Sequence, residues 1–164
     1  MSKNRIINTV HAVEESKSNH FFKESAAKTW PHHHQVIDDK RLDHFIKRNG
    51  KVYAGTHIIV DLWGASRLDE LEHMENAMRE AVELSKATLL HIHLHHFSPN
   101  GGISGVAVLA ESHISVHTWP ETNYAAFDVF MCGDAEPEQA VFVFNKYFQP
   151  EKFNVRNIRR GEVQ

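Results

Sequence analysis

Four β-rich segments, residues 87–97, 103–110, 113–118 and 124–131, follow one another with only short connections between them. A parallel pair needs a crossover of roughly a dozen residues or more, so these connections impose antiparallel neighbours. The turn signals agree with this, since Ser98-Pro99-Asn100-Gly101-Gly102 separates the first two segments. Within 87–97 (ATLLHIHLHHF) the alternation has period two, which places His91, His93 and His95 on one face and Leu90, Ile92 and Leu94 on the other. A further strand is expected over 53–63 (YAGTHIIVDLW), ended by Gly64, and a last one over 153–158, ahead of Arg159, Arg160 and Gly161.

Two stretches have helical period instead. Ser66 followed by Asp69 resembles a capping start, after which Leu71, Met74, Met78, Ala81 and Val82 share one face. Pro137 suits a first helical turn, and Ala140, Val141, Phe144, Tyr147 and Phe148 form a stripe that stops before Pro150. The order strand, helix, four strands, helix, strand predicts an α+β fold, a two-layer sandwich with an antiparallel sheet and two helices packed on one face.

The chain has 164 residues, enough for one core with an extension. Residues 1–50 are the least patterned and read as an N-terminal extension, with residues 51–164 as the domain. A short helix over 38–48 is suggested by Leu42, Phe45 and Ile46. At 41% hydrophobic and 24% charged residues a packed core is expected, and a net charge of -3 provides no basic field for nucleic acid. Cys132 is the single cysteine, so no intramolecular disulfide forms. The apolar runs at 106–110 and 140–144 are too short to span a bilayer, and the polar start MSKNRIINTV lacks a signal-peptide core. The expectation is a soluble, cytoplasmic protein with no membrane partner.

The stretch ESHISVHTWPE, residues 111–121, is the most informative chemically. It brings Ser112, His113, Ser115, His117 and a carboxylate into a strand pair that the pattern reads as core, and buried polar groups there need a reason. One reason is nucleophilic catalysis by a serine near an imidazole; the other is mutual hydrogen bonding within a sheet. No G-x-S-x-G elbow is present to support a hydrolase of that type.

This string resembles the signature of the S-adenosylmethionine decarboxylases, in their small-chain bacterial and archaeal form that makes its own pyruvoyl group. GTHIIVDLWGA, residues 87–105 and YAAFDVFMCG resemble further family segments in the same order, so the resemblance covers residues 52–161. It implies a proenzyme cut between Glu111 and Ser112, with Ser112 becoming the pyruvoyl group that binds substrate as a Schiff base. Ser104 then matches the oxyanion donor of self-cleavage and His117 its base. Cys132 matches the proton donor of turnover, and a thiol suits that task because its pKa is readily tuned toward neutrality. Glu121 matches the carboxylate that holds the ribose hydroxyls, and Phe97 the ring that stacks on adenine. The resemblance further implies a homodimer of processed chains with shared active sites. Each site would take Ser112 and Cys132 from one chain and Ser104, His117, Glu121 and Phe97 from the other. The product would be the aminopropyl donor for spermidine synthesis.

The loop between Phe97 and Ser104 departs from the family by the doubled Gly101-Gly102. The 14 histidines, among them His32, His33, His34, His91, His93, His95 and His96, raise the question of metal. No cysteine partners them and no carboxylates stand at ligand offsets, so no metal site is assigned, and a polar cavity or interface is the alternative use. Three rivals remain: a relative acting on ornithine or arginine, a non-catalytic activating subunit, and a histidine-rich metal binder. The second would be expected to lack Ser112, His117 or Cys132, and all are present.

Overall fold

The computed structural model describes residues 44–163. Seven strands form one sheet: β1 (Ile46–Arg48), β2 (Lys51–Trp63), β3 (Leu89–His96), β4 (Ile103–Leu109), β5 (Ser112–Trp119), β6 (Tyr124–Met131) and β7 (Lys152–Glu162). Two helices, α1 (Leu71–Leu84) and α2 (Glu138–Phe148), complete it. All pairings are antiparallel, in the order β7-β2-β6-β5-β4-β3, with β1 beside the start of β2.

One face of the sheet meets both helices. Ile58, Val60 and Leu62 of β2, Ile114 and Val116 of β5, and Phe127 and Val129 of β6 pack there against Met74, Met78 and Ala81 of α1 and Val143, Phe144 and Phe148 of α2. The Phe127 and Phe144 rings stack with centroids 4.0 Å apart. Such a pair adds about 0.5–1.5 kcal/mol to what its burial provides. The intervening residues of each strand point to the opposite face, which no helix covers. Across β2, β6, β5 and β4 these form rows, one of them Asp61, Ala126, His117 and Ser104, another His57, Phe130, His113 and Val108.

Several local expectations change. His113, Ser115 and His117 lie on the open face, outside the core, because strand parity gives the helices Ile114, Val116 and Thr118 instead. A β-bulge between Leu89 and His91 resets the alternation of β3, so Leu89, Ile92 and Leu94 face the core while Leu90 is exposed. Helix α1 starts after Glu70 with no side-chain cap, since the Ser66 hydroxyl donates to the Phe148 carbonyl, 3.2 Å away. Leu71 is exposed, and Ala77 takes its place on the buried face.

The helix expected over 38–48 falls partly outside the described residues, and its end, Ile46–Arg48, is a strand. Asn49 and Gly50 both have positive φ (52° and 74°), as a two-residue hairpin turn of the primed type requires, and Arg48 pairs with Lys51 across it. The boundary drawn after residue 50 therefore falls inside a hairpin, and the buried Ile46 belongs to the folded unit. The stretch 32–34 lies outside the described residues. Among the described residues no helix is long and apolar enough to cross a membrane.

Candidate active site

Strand β5 carries candidate residues at both ends. At its far end His117 stands opposite Ser104 of β4, with His117 Nδ1 and Ser104 Oγ 2.9 Å apart. Beside them a cleft of 380 Å³ is lined by Phe97, Pro99, Ser104, His117, Trp119 and Glu121, among others. Glu121 sits in the 3-10 turn Pro120–Thr122 that reverses the chain into β6. Phe97 is 48% exposed, so a flat ligand has access to its ring. His95 packs edge-on against it, with centroids 4.4 Å apart.

The doubled glycine shapes the cleft wall. Gly101 has φ 75°, a left-handed conformation, and a Cβ on Gly102 would stand 2.9 Å from the Thr118 carbonyl. The Gly101 N–H donates to the Phe97 carbonyl at 2.9 Å and the Phe97 N–H to the Gly102 carbonyl at 2.8 Å, which closes the loop on Phe97. Thr118, which the sequence reading passed over, ties this end together. Its buried hydroxyl accepts from the Ile103 N–H at 2.7 Å and donates to the Leu68 carbonyl at 2.9 Å. These bonds join the start of β4, the end of β5 and the loop ahead of α1.

At the near end of β5 the tight turn Ala110-Glu111 joins β4 to β5, with Leu109 opposite Ser112. Glu111 has φ 60°, a left-handed conformation that costs a non-glycine residue free energy. Ser112 Oγ accepts a hydrogen bond from the Cys132 N–H at 3.2 Å. The Cys132 thiol is half-buried and free of any disulfide. Burial pushes its pKa up, and the Glu111 carboxylate adds to the rise. This reverses the expected tuning toward neutrality, and it suits a donor, because a thiol must keep its proton in order to give it.

The residues thus fall into two groups: Ser112, Glu111 and Cys132 at one end, and Ser104, His117, Glu121 and Phe97 at the other. Ser112 and His117 are five positions apart on an extended strand, about 17 Å.

Between the two ends the open face holds polar groups that sequence reasoning left unassigned. His57 Nε2 lies 3.3 Å from Asp128 Oδ1, and its Nδ1 lies 3.2 Å from an Arg160 guanidinium nitrogen. His113 stacks on Phe130 with centroids 5.7 Å apart, and burial, with His57 nearby, lowers its pKa. Tyr124 donates to Asp61 at 2.6 Å, which pushes the phenol up to about 12. The signal was present in the sequence as polar residues at alternate positions of β2 and β6, which cross-strand register brings side by side. Among the described residues no group of three or more His, Cys, Asp and Glu is arranged to hold a metal.

A two-layer sandwich with a serine at a strained hairpin and a polar cleft at the opposite end of the same strand is the frame of an enzyme. Comparison with known proteins places it more narrowly. The model of the S-adenosylmethionine decarboxylase family matches residues 56–161. The S-adenosylmethionine decarboxylase proenzyme of Thermomicrobium roseum is 44% identical over 110 residues, covering 66% of this chain and 95% of that protein. The proenzyme of the same name from Methanococcus maripaludis strain S2 is 48% identical over 112 residues, 66% of this chain and 91% of that one. The crystal structure of the adenosylmethionine decarboxylase from Aquifex aeolicus superposes with a TM-score of 0.62 at 32% identity, covering 68% of this chain and 94% of that chain. The chain belongs to the S-adenosylmethionine decarboxylase family.

Proposed function

We propose that this chain cuts itself between Glu111 and Ser112, turns Ser112 into a pyruvoyl group, and decarboxylates S-adenosylmethionine to the aminopropyl donor for spermidine synthesis. The reading gives Ser112 the role of nucleophile. Its Oγ attacks the Glu111 carbonyl, the peptide C–N bond breaks, and an ester forms with the amino group of residue 112 released. The Ser104 hydroxyl donates to the oxyanion on the way. His117 takes the α-proton of residue 112; the ester C–O bond then breaks, with the Glu111 carboxylate leaving. Tautomerisation and attack of one water release ammonia and leave the ketoacyl group.

The residues present fit that group, since Ser112 opens a strand at an exposed turn and its oxygen already meets the Cys132 backbone. Once formed, the pyruvoyl group supplies a carbonyl that condenses with the substrate amine and draws electrons as carbon dioxide departs. Cys132 holds the proton delivered to the substrate carbon, Phe97 stacks on the adenine, and Glu121 accepts the ribose hydroxyls.

The observation that carries the reading is the separation along β5. Ser104 and His117 stand about 17 Å from the bond they serve, so the site is completed by a second chain whose open face meets this one. Two such sites form per dimer, each taking Ser112 and Cys132 from one chain and Ser104, His117, Glu121 and Phe97 from the other. The uncovered polar and aromatic rows on that face support this pairing. The decarboxylase domain spans 51–164 with β1 joined to it, the segment ahead of it is an extension, and the dimer works in the cytoplasm.

Complementation tests the arrangement. A tagged His117→Ala chain, which keeps Ser112, is co-expressed with a Ser112→Ala chain, which keeps His117. The tagged chain is cut in the mixed pair and stays whole when expressed alone. Cleavage of the His117→Ala chain by itself at the wild-type rate would overturn the shared site.

A further inference from the structure

Ahead of the family match, which begins at Thr56, the β1 strand runs back along the start of β2, on the edge that β6 leaves free once Met131 has paired with Thr56. This course delivers residue 44 to the end of β6, where Cys132 and the Glu111-Ser112 turn meet. His44 holds both parts. Its Nε2 lies 2.9 Å from Glu111 Oε1, and its backbone carbonyl accepts from the Gly133 N–H at 3.0 Å. With the Cys132 N–H on Ser112 Oγ, the contacts form a closed ring: His44 to Glu111, Glu111 through the peptide to Ser112, Ser112 to Cys132, and Gly133 back to His44.

Among the described residues, His44 is an ion-pair partner of Glu111. Glu111 is held in the left-handed region at φ 60°, and its side chain extends from an exposed two-residue turn. An unrestrained carboxylate there leaves the Glu111 carbonyl free to swing as the turn relaxes, and attack by Ser112 Oγ depends on that carbonyl staying in line. A single contact that fixes the Glu111 side chain narrows the range of the turn without touching the reacting atoms.

We propose that His44 is a positioning residue for self-cleavage: by holding the Glu111 carboxylate it fixes the Glu111–Ser112 peptide for attack by the Ser112 hydroxyl. The inference rests on reading that peptide as the scissile bond. It makes the segment ahead of the family core a participant in maturation, and it assigns the effect to the imidazole, since the His44 carbonyl bond to Gly133 survives any side-chain change.

The test is a pulse-chase time course of self-cleavage in the full chain, comparing wild type, Ser112→Ala, His44→Ala and His44→Gln, with thermal unfolding midpoints of the two His44 variants measured in the uncut Ser112→Ala background. His44→Ala is expected to slow cleavage about five-fold, the size of one lost partly exposed hydrogen bond, with a midpoint within a few degrees of the background chain's. His44→Gln, whose amide still donates to a carboxylate, recovers most of the rate. Cleavage of His44→Ala at the wild-type rate overturns the inference, and so does a Gln variant no faster than the Ala variant. A wild-type chain that stays whole throughout instead overturns the self-cleavage reading on which the inference stands.

Discussion

Ser104 and His117 face each other across the β4–β5 ladder with Oγ and Nδ1 2.9 Å apart, and Thr118, one residue further on, anchors that end of β5 with a buried hydroxyl. The register of a single strand pair thus fixes a hydroxyl–imidazole contact, and one threonine holds the register. Thr118→Val keeps the shape but leaves the Ile103 N–H and the Leu68 carbonyl without their partner. A loss of about 1–3 kcal/mol in unfolding free energy follows, measured by urea titration in the uncut Ser112→Ala background. An unchanged midpoint and slope would remove Thr118 from this role.

Under the proposed function, maturation and turnover separate by residue. Ser112→Ala stays whole and inactive. His117→Ala stalls at or before the ester, because the α-proton of residue 112 has no base; hydroxylamine, which cleaves esters, then releases the two fragments from any trapped intermediate. Cys132→Ala retains self-cleavage yet loses most decarboxylation, since its proton is needed only after the carboxylate has left. Full turnover by the Cys132 variant would contradict its assignment.

The raised pKa of Cys132 has a measurable sign. With burial and the Glu111 carboxylate both disfavouring the thiolate, the protonated form persists past the ordinary thiol value of about 8.5. Alkylation of the uncut Ser112→Ala chain by iodoacetamide is therefore slow at neutral pH and climbs only at pH above that value. A rate that levels off below it would show a thiolate where the geometry calls for a thiol.

The cleft residues report on the ligand. Under the proposed function, Glu121→Gln gives up charge-assisted hydrogen bonds to the ribose, each worth roughly 1.5–3 kcal/mol, so KM for S-adenosylmethionine rises about ten-fold or more. Phe97→Ala costs a similar or smaller factor through lost stacking. Self-cleavage is expected at the wild-type rate in both, because the proposed function assigns both side chains to the ligand and neither to the scissile peptide.

Much of this architecture could be read from the chain before any coordinates. The run of short connections after residue 87 dictated antiparallel neighbours, and the apolar stripes of both helices pointed at one sheet face. What escaped was set by register and tertiary contact. A bulge at Leu89 moved Leu90 to solvent, and Ser66 spent its hydroxyl on Phe148 in place of capping α1. Ile46 joins the sheet through the Asn49-Gly50 turn, which lies ahead of the patterned segments. The site residues stood out by their motif, whereas their division between the two ends of β5 followed only from the pairing of Ser104 with His117 and the contact of Ser112 with Cys132. The direction of the Cys132 shift depended on Glu111 being held nearby, which spacing along the chain does not reveal.

The most direct test of the account joins intact-mass measurement of the purified chain to carbon dioxide release from S-adenosylmethionine, ornithine and arginine. The account predicts two fragments, residues 1–111 and 112–164, the second carrying a ketoacyl end in place of the serine amine, and turnover of S-adenosylmethionine alone. A chain that remains whole while decarboxylating S-adenosylmethionine, or a cut chain that acts on a free amino acid and leaves the nucleoside untouched, would contradict it.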